Sequence, residues 1–511
     1  MEQKKNFDSE FCGSLPLHLI NQIQPYGLLL VVKRSDFSII QVSENIETLI
    51  GLLPKEVVNK PLAQLVTGAQ FEKLAEKFSR DIDGKIPLRF TFKTTAKQVD
   101  FLALVQAKDD YLLIELEQSA PEANGYLFTD IYQEIKFAMA EINAAETVVD
   151  ISNRAIAELK RLSGFDKIMV YKFDEDWNGE VIAESTDEHF ESYLGLRFPA
   201  SDIPKQARML YLKNPYRLIP TRDYTPVKIY PVINPLTESF VDLSNCNIRS
   251  VPAVHLEYLK NMGVMASMST AIIKDEQLWG LISCHHKTAK YLNYEICSVF
   301  ELMGGIISNR VSSLENKEHL NVASKLQEIR SKLVEQVYLD DNPITGIINY
   351  DTSILDLLDC CGAAILYQKK MQTIGNVPDR YEIKDLVLWL QANKTDSLYT
   401  SSNFPAVYDN AASFAEIGSG IIVLPIHEEK GEYIIGFRPE VVQSVNWGGN
   451  PNEAINFEKN SLTYHPRNSF KIWKQTLKQC SLPWSEDQLL IAENFRNFLV
   501  EYTLKKVYAM L

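Results

Sequence analysis

Between Pro25 and Leu116 the chain alternates apolar and polar residues in short runs (GLLLVVKR, FSIIQVS, LRFTFKT, VDFLALVQA, YLLIELEQ). A period near two over such short stretches predicts strands, and the helical spacing of PKEVVNKPLAQLV adds a helix. Residues 25–120 are therefore expected to form an antiparallel sheet with helices on one side. The weakly apolar QSAPEANG at 118–125 reads as a linker. A long helical pattern follows, FTDIYQEIKFAMAEINAAETVVDISNRAIAELKRLSG, then the strand patterns KIMVYKF and GEVIAES and a hairpin built from TAIIKD and LWGLISCHH. These make 126–305 a second α+β domain. Residues 291–338 hold apolar positions at helical spacing for longer than most globular helices run, which predicts a helical spine with 306–338 as the connecting helix. The region 339–484 mixes strands (AAILYQ, IIVLPIH, GEYIIGFRP) with helices, and 485–511 carries a helical pattern to the last residue, as if leading into a further segment. The expected fold class is α+β: three tandem domains with antiparallel sheets joined by a long helical spine. That architecture suits an arrayed sensor better than a single-site enzyme.

Composition narrows the class. The chain has 511 residues, 46% hydrophobic and 23% charged, which is ordinary for globular protein and long enough for about three domains. The opening MEQKKNFDSE lacks an apolar signal core, and runs such as GLLLVV and GIIVLPI are far too short to span a bilayer. A soluble cytoplasmic protein is expected. A formal net charge of −14 disfavours nucleic acid as a partner. Seven cysteines, at 12, 246, 284, 297, 360, 361 and 480, contain no CxxC pair, which argues against a disulfide scaffold and against a metal site.

The densest unusual segment is RFPASDIP, Arg197–Pro204, followed by Arg208, Tyr211, Arg217 and Arg222. Two prolines around an aspartate fix a non-helical loop. By itself it reads as a turn in which Ser201 or Asp202 caps the helix IPKQARMLYLK. The same domain adds Arg249, His255, Tyr258, Ser267, Ser269 and His285. Arginines paired with serines suit carboxylates, since a guanidinium donates two parallel hydrogen bonds. A ligand with carboxylates on a long, conjugated apolar body would fit such a pocket.

Together RFPASDIP, the R-x5-H-x2-Y-L-x-N-M-G run from Arg249 to Gly263, and WGLISCHH closely resemble the chromophore-binding GAF domain of phytochromes, in that family's order and spacing. The likeness continues on both flanks. Cys12, Pro16-Leu17-His18 and Ile23-Gln24-Pro25-Tyr26-Gly27 resemble the N-terminal signature of bacteriophytochromes ahead of a PAS domain, and Trp447-Gly448-Gly449 with Pro466-Arg467-Asn468-Ser469-Phe470 resembles the hairpin tongue of a PHY domain. Departures are Leu15 for a common Glu, Ile20-Asn21 for Pro-Gly, Tyr26 for His, and Pro252 for a serine.

The resemblance implies a tail (1–24) folded back onto GAF, a PAS domain (25–120), a GAF domain (126–305) and a PHY domain (339–484) with its tongue at about 437–476. It implies a linear tetrapyrrole chromophore. Phytochromes with a thiol before the pocket histidine carry other bilins; here that position is Val254, and Cys12 matches the tail thiol of biliverdin-binding members. The implied cofactor is biliverdin, in thioether linkage to Cys12. Arg217 and Arg249 would anchor one propionate, with Ser267 and Ser269 near the other, and Tyr211 would belong to the chromophore pocket. The Asp202 backbone carbonyl and His255 would hold the pyrrole N–H groups, with Ile203 also in the chromophore pocket; Tyr171, Phe198 and Tyr258 would surround ring D, with His285 bonded to its carbonyl. Arg467, Ser469 and Trp447 would act in tongue signalling, Arg467 against Asp202. Implied partners are a second copy through the spine and an output domain or response regulator. No kinase or cyclase motif occurs, so a sensory module without catalysis is expected. Two rivals remain: a GAF-type sensor of a small ligand such as a cyclic nucleotide, which leaves Cys12 and Arg467 unexplained, and an enzyme using Cys12 with His18, which lacks a third group to orient the imidazole.

Overall fold

The computed structural model describes residues 16–78, 84–93, 98–118, 128–340, 342–451, 455–457, 464–467 and 469–510; Cys12 and nearly all of the expected linker lie outside them. The chain divides into two units. One holds the residues up to Ser312 together with Asn446–Trp473, the other Ser313–Val445 with Lys474–Leu511.

The first sheet of the first unit is seven-stranded and antiparallel, in the order Gln22–Ile23, Val227–Tyr230, Ile39–Ser43, Gly27–Lys33, Tyr111–Gln118, Gln98–Ala107, Lys85–Lys93. Leu28, Leu30, Val32 and Ile114 pack with Leu74 and Phe78 of helix Gly68–Phe78. The alternate residues Leu29, Val31 and Leu113 pack against Ile229, Val241, Leu243, Cys246 and Ile248. Both faces are thus covered, which is why GLLLVVK is apolar almost throughout. The strand Val227–Tyr230 and the loop after it belong in sequence to the second region, and no local pattern announces their place in this sheet. Residues 16–24 lie between two runs of that same loop. Gln22 and Ile23 pair with Lys228 and Val227, while Gln24 N donates to Ile248 O at 2.7 Å and Ser250 N to Gln22 O at 2.9 Å.

The first six strands of the second, eight-stranded sheet run Tyr216–Ile219, Ala266–Lys274, Gln277–His286, Lys167–Phe173, Gly179–Thr186, Arg197–Phe198. The single helical pattern before it becomes two helices, Phe128–Ala144 and Val148–Ser163. Thr147 Oγ1 accepts Asp150 N at 3.1 Å to cap the second, and Gly164 at φ 64° ends it in the left-handed conformation glycine tolerates. Helix Val148–Ser163 and the start of the long helix cover one face. Helices Lys205–Lys213 and Ala253–Asn261 lie over the other.

The spine is one unbroken 46-residue helix, Tyr294–Leu339. It lies close on the second sheet because Gly304 has no Cβ, which would meet Ala271 O at 2.8 Å, and Ser308 Oγ accepts Ile273 N at 2.8 Å. Its buried stripe is Phe300, Met303, Ile307 and Val311 in the first unit, then Leu326, Leu333 and Val337 in the second.

The second unit holds a five-stranded antiparallel sheet, Lys370–Gly375, Gly362–Tyr367, Glu432–Arg438, Gly420–His427, Tyr399–Ser401. Ile422, Leu424 and Ile434 face the spine and helix Glu486–Met510, while Ile421, Val423 and Ile435 face helix Arg380–Ala392. Among the described residues no helix is long and apolar enough to cross a membrane.

Candidate ligand-binding site

The RFPASDIP segment folds as a strand, a single 3-10 turn (Ala200–Asp202) and a helix that starts after Pro204. Neither Ser201 nor Asp202 caps that helix; Pro204 occupies the position. The turn is held instead by Arg208, whose Nη1 donates to Ile203 O at 2.7 Å and Ala200 O at 3.4 Å while its guanidinium stacks 4.5 Å from the Trp177 ring centroid. The Asp202 carboxylate is thereby free for another use.

Between this turn, helix Ala253–Asn261 and strands Ala266–Lys274 and Gln277–His286 lies a cavity of about 600 Å³. Tyr171, Phe198, Asp202, Ile203, Tyr211, Arg217, Arg249, His255, Tyr258, Ser267, Ser269 and His285 all line it. So does Leu17, from the tail.

Arg217 sits on strand Tyr216–Ile219, and its guanidinium is turned to backbone: Nη1 donates to Asn247 O at 3.0 Å, and Nη2 to Ser250 O at 3.0 Å and to Arg249 O. It holds the loop that presents Arg249. Arg249 is buried, and its Nη1 has no hydrogen-bond partner among the described residues. Burial, with the neighbouring Arg217 charge, brings its guanidinium down to about 9. A buried cation that lines a cavity and keeps an unused donor calls for an anion. Tyr211 has Ser269 as its hydrogen-bonding neighbour on the same wall.

The imidazoles are neutral. Burial and then the Arg217 charge lower His255 to about 4, and burial with Lys167 and His255 lowers His285 to about 3. His285 Nδ1 has no partner among the described residues, and its Nε2 lies 3.5 Å from Ser283 Oγ. The His255 and Tyr258 rings are nearly parallel, at 9°. Tyr171 stands over Gly179, where a Cβ would fall 1.8 Å from its ring atoms. Below it the fully buried Lys167 pairs with Glu184 at 2.8 Å and lies 3.3 Å from the Tyr193 ring centroid.

The arm Asn446–Trp473 closes one side. Trp447 pairs parallel with Arg197, and Ile455–Phe457 pairs antiparallel with Tyr464–Pro466. Arg467 forms a buried ion pair with Asp202, whose side chain is 6% exposed, and Tyr258 Oη donates to the same Asp202 oxygen at 2.8 Å. Burial pushes the Asp202 carboxyl up, with Arg467 and Tyr258 opposing. The Arg467 guanidinium also lies 4.9 Å from the Phe470 ring centroid and 5.3 Å from that of Phe198. Ser469 is exposed, so the structure places it at the arm's surface.

Sequence reading did not single out Tyr193, His465 or Pro466 as cavity-lining residues, nor the turn-holding role of Arg208. The i+6 spacing of Arg208 from Asp202, over the helix start, was the one available signal. Cys246 and Cys284 are fully buried with their thiols pushed up, and therefore inert. Tyr26 is tucked edge-on against Tyr291, 5.7 Å between centroids, and Pro252 starts helix Ala253–Asn261.

The donor set fits a bilin: unused guanidinium for a carboxylate, neutral imidazoles for pyrrole N–H and carbonyl groups, and aromatic walls for the conjugated body. Comparison with known proteins agrees in kind. The family profile "PAS fold" matches residues 12–119, "GAF domain" 147–311 and "Phytochrome region" 326–507. Cyanobacterial phytochrome B of Nostoc sp. is 37% identical over 501 residues, covering 98% of this chain and 67% of the relative. A bacteriophytochrome of Xanthomonas campestris is 30% identical over 508 residues, covering 98% and 79%. The crystal structure of a bacteriophytochrome from the photosynthetic bacterium R. palustris aligns with a TM-score of 0.82 at 31% identity, covering 97% of this chain and 99% of that one. The Stigmatella aurantiaca phytochrome photosensory core module also aligns with a TM-score of 0.82, at 30% identity, covering 97% and 98%. The chain spans about two thirds of the length of the cyanobacterial phytochromes and the Pseudomonas aeruginosa bacteriophytochrome that it matches, and 42–43% of the plant phytochromes.

Proposed function

This chain belongs to the phytochrome family, and from that premise we propose that it is a red/far-red photosensory module that takes biliverdin into the cavity and holds it through a thioether to Cys12. The observation that carries this reading is Arg249: a buried guanidinium with an unpartnered donor, on the wall of a cavity too apolar for an inorganic anion alone. Support for Cys12 as the anchor is connectivity. Leu17 lines the cavity, and five residues of chain span at most about 17 Å. Support for biliverdin over other bilins is Val254, which leaves no thiol beside His255.

When bound, biliverdin supplies a red-absorbing conjugated system and a ring C–D double bond that isomerises from Z to E. The protein's part is to hold two states unequally. Arg249, on the loop that Arg217 holds, with Ser267 and Ser269, would fix the propionates, while His255 and the Asp202 carbonyl would orient the pyrrole nitrogens. Tyr171, Phe198 and Tyr258 define the space around ring D, and His285 donates to its carbonyl in one state only. Differential contact of that kind is what biases a bistable element. The element is the tongue, docked through Asp202 and Arg467, and the spine carries its change to an output module in a dimer.

Purified chain incubated with biliverdin is expected to gain a red band that changes on red illumination and to carry bilin through a denaturing gel. Cys12→Ala should abolish the covalent label and keep non-covalent uptake. No red band, or one unaltered by light, overturns the reading; covalent label surviving Cys12→Ala overturns the anchor.

A further inference from the structure

Glu115 lies on strand Tyr111–Gln118 of the first sheet, outside the cavity, and is 2% exposed. Its Oε2 accepts two consecutive peptide N–H groups of the loop, Asn247 N at 2.6 Å and Ile248 N at 3.0 Å. Lys85, on the sheet's outer strand, sits 3.4 Å from Glu115 Oε1 and donates to Asn247 Oδ1 and, at 3.1 Å, to Asn214 Oδ1. Asn247 Nδ2 donates in turn to Tyr216 Oη at 2.6 Å. The next residues of the loop are the ones the site depends on: the carbonyls of Asn247, Arg249 and Ser250 receive the Arg217 guanidinium, and Arg249 lines the cavity with its Nη1 unpartnered among the described residues. One segment is therefore gripped from both sides, by a PAS-domain carboxylate on its N–H groups and a GAF-domain guanidinium on its carbonyls.

We infer that Glu115, with Lys85, is a positioning pair through which the PAS domain sets the Arg249 guanidinium for a carboxylate ligand. This rests on the reading of the cavity as a site for a propionate-bearing bilin. Cys246 and Ile248 anchor the segment by apolar packing on the first sheet, but that packing is non-directional and does not orient the peptide groups that lead into Arg249. A doubly accepting, charge-assisted carboxylate supplies that order. Loss of Glu115 should then cost anion recognition and leave apolar recognition of the same ligand in place.

The test uses the full chain with Cys12→Ala, so that binding is reversible, and compares biliverdin with its dimethyl ester, in which both propionates are neutral. Glu115→Ala is expected to weaken biliverdin about tenfold and the ester less than threefold. In the ligand-free chain the Asn247 and Ile248 amides should exchange at least tenfold faster with solvent. Glu115→Gln keeps one acceptor oxygen without the charge and should lose about threefold on the acid alone; it decides the matter if Glu115→Ala lacks a cooperative thermal transition. Combined with Arg249→Gln, the Glu115→Ala effect on the acid should largely vanish. Equal losses on acid and ester, or additive effects with Arg249→Gln, overturn the inference and mark Glu115 as general scaffolding. If the unaltered chain binds neither compound, the biliverdin reading falls instead, and unchanged amide exchange in Glu115→Ala overturns the positioning role on its own.

Discussion

Glu117 stands two residues beyond Glu115 on the same strand, 6% exposed, with its Oε2 accepting the Tyr291 hydroxyl at 2.8 Å. Burial pushes its carboxyl from 4.5 up to about 7. Between those values the folded chain keeps a proton that the unfolded chain releases. The stabilisation is therefore fully present below pH 4.5 and is lost as pH rises through 7, a span on the order of 3 kcal/mol. Glu117→Gln is expected to flatten this part of the profile, measured by denaturant unfolding at pH 5 and pH 8. An unaltered slope would assign the pH dependence elsewhere. Neither Glu115 nor Glu117 was legible in YLLIELEQ, where alternation with leucine points both carboxylates at water. Glu115 is buried because a loop from over a hundred residues later lies on that face, and Glu117 meets Tyr291 from still further along the chain. The arginines and histidines of the cavity were legible because their spacing belongs to one family.

Among elements, the arm Asn446–Trp473 depends on contacts that leave little freedom. Gly449 lies at φ 98°, and a Cβ there would meet Ser469 O at 2.4 Å; a Cβ on Gly448 would meet the Phe198 ring at 2.7 Å. Arg467 places its charge on Asp202 with both side chains nearly sealed from water. Removing one partner of such a pair leaves an uncompensated buried charge and costs about 3–5 kcal/mol. Arg467→Ala and Gly449→Ala should each undock the arm: amide exchange at 464, 465 and 467 is expected to rise at least tenfold, with that of the second unit's sheet unchanged. Protection that survives both substitutions would show that the arm is held by something other than this pair and this turn. The strand at Val227–Tyr230 went unforeseen for a different reason, since VKIY is too short for its periodicity to name a partner sheet.

For the whole molecule, the cavity and every residue assigned to it lie in one of the two units. A ligand binding only the folded form stabilises it by about 2.7 kcal/mol at a hundred times its Kd. Scanning calorimetry with non-covalent bilin on Cys12→Ala is accordingly expected to raise one of two transitions and leave the other in place. A single transition that moves as a whole would mean that the units unfold together. Local periodicity and family spacing determined the α+β class, the order of sheets, the helical spine and the residues that gather around the cavity, because each of these is written in neighbouring positions. Only tertiary structure decided which carboxylates are buried, that Arg217 holds the loop as well as lining the cavity, and that a PAS strand reaches the loop carrying Arg249. Those outcomes depend on surfaces supplied by distant segments, and a short stretch of sequence carries no record of what will cover it.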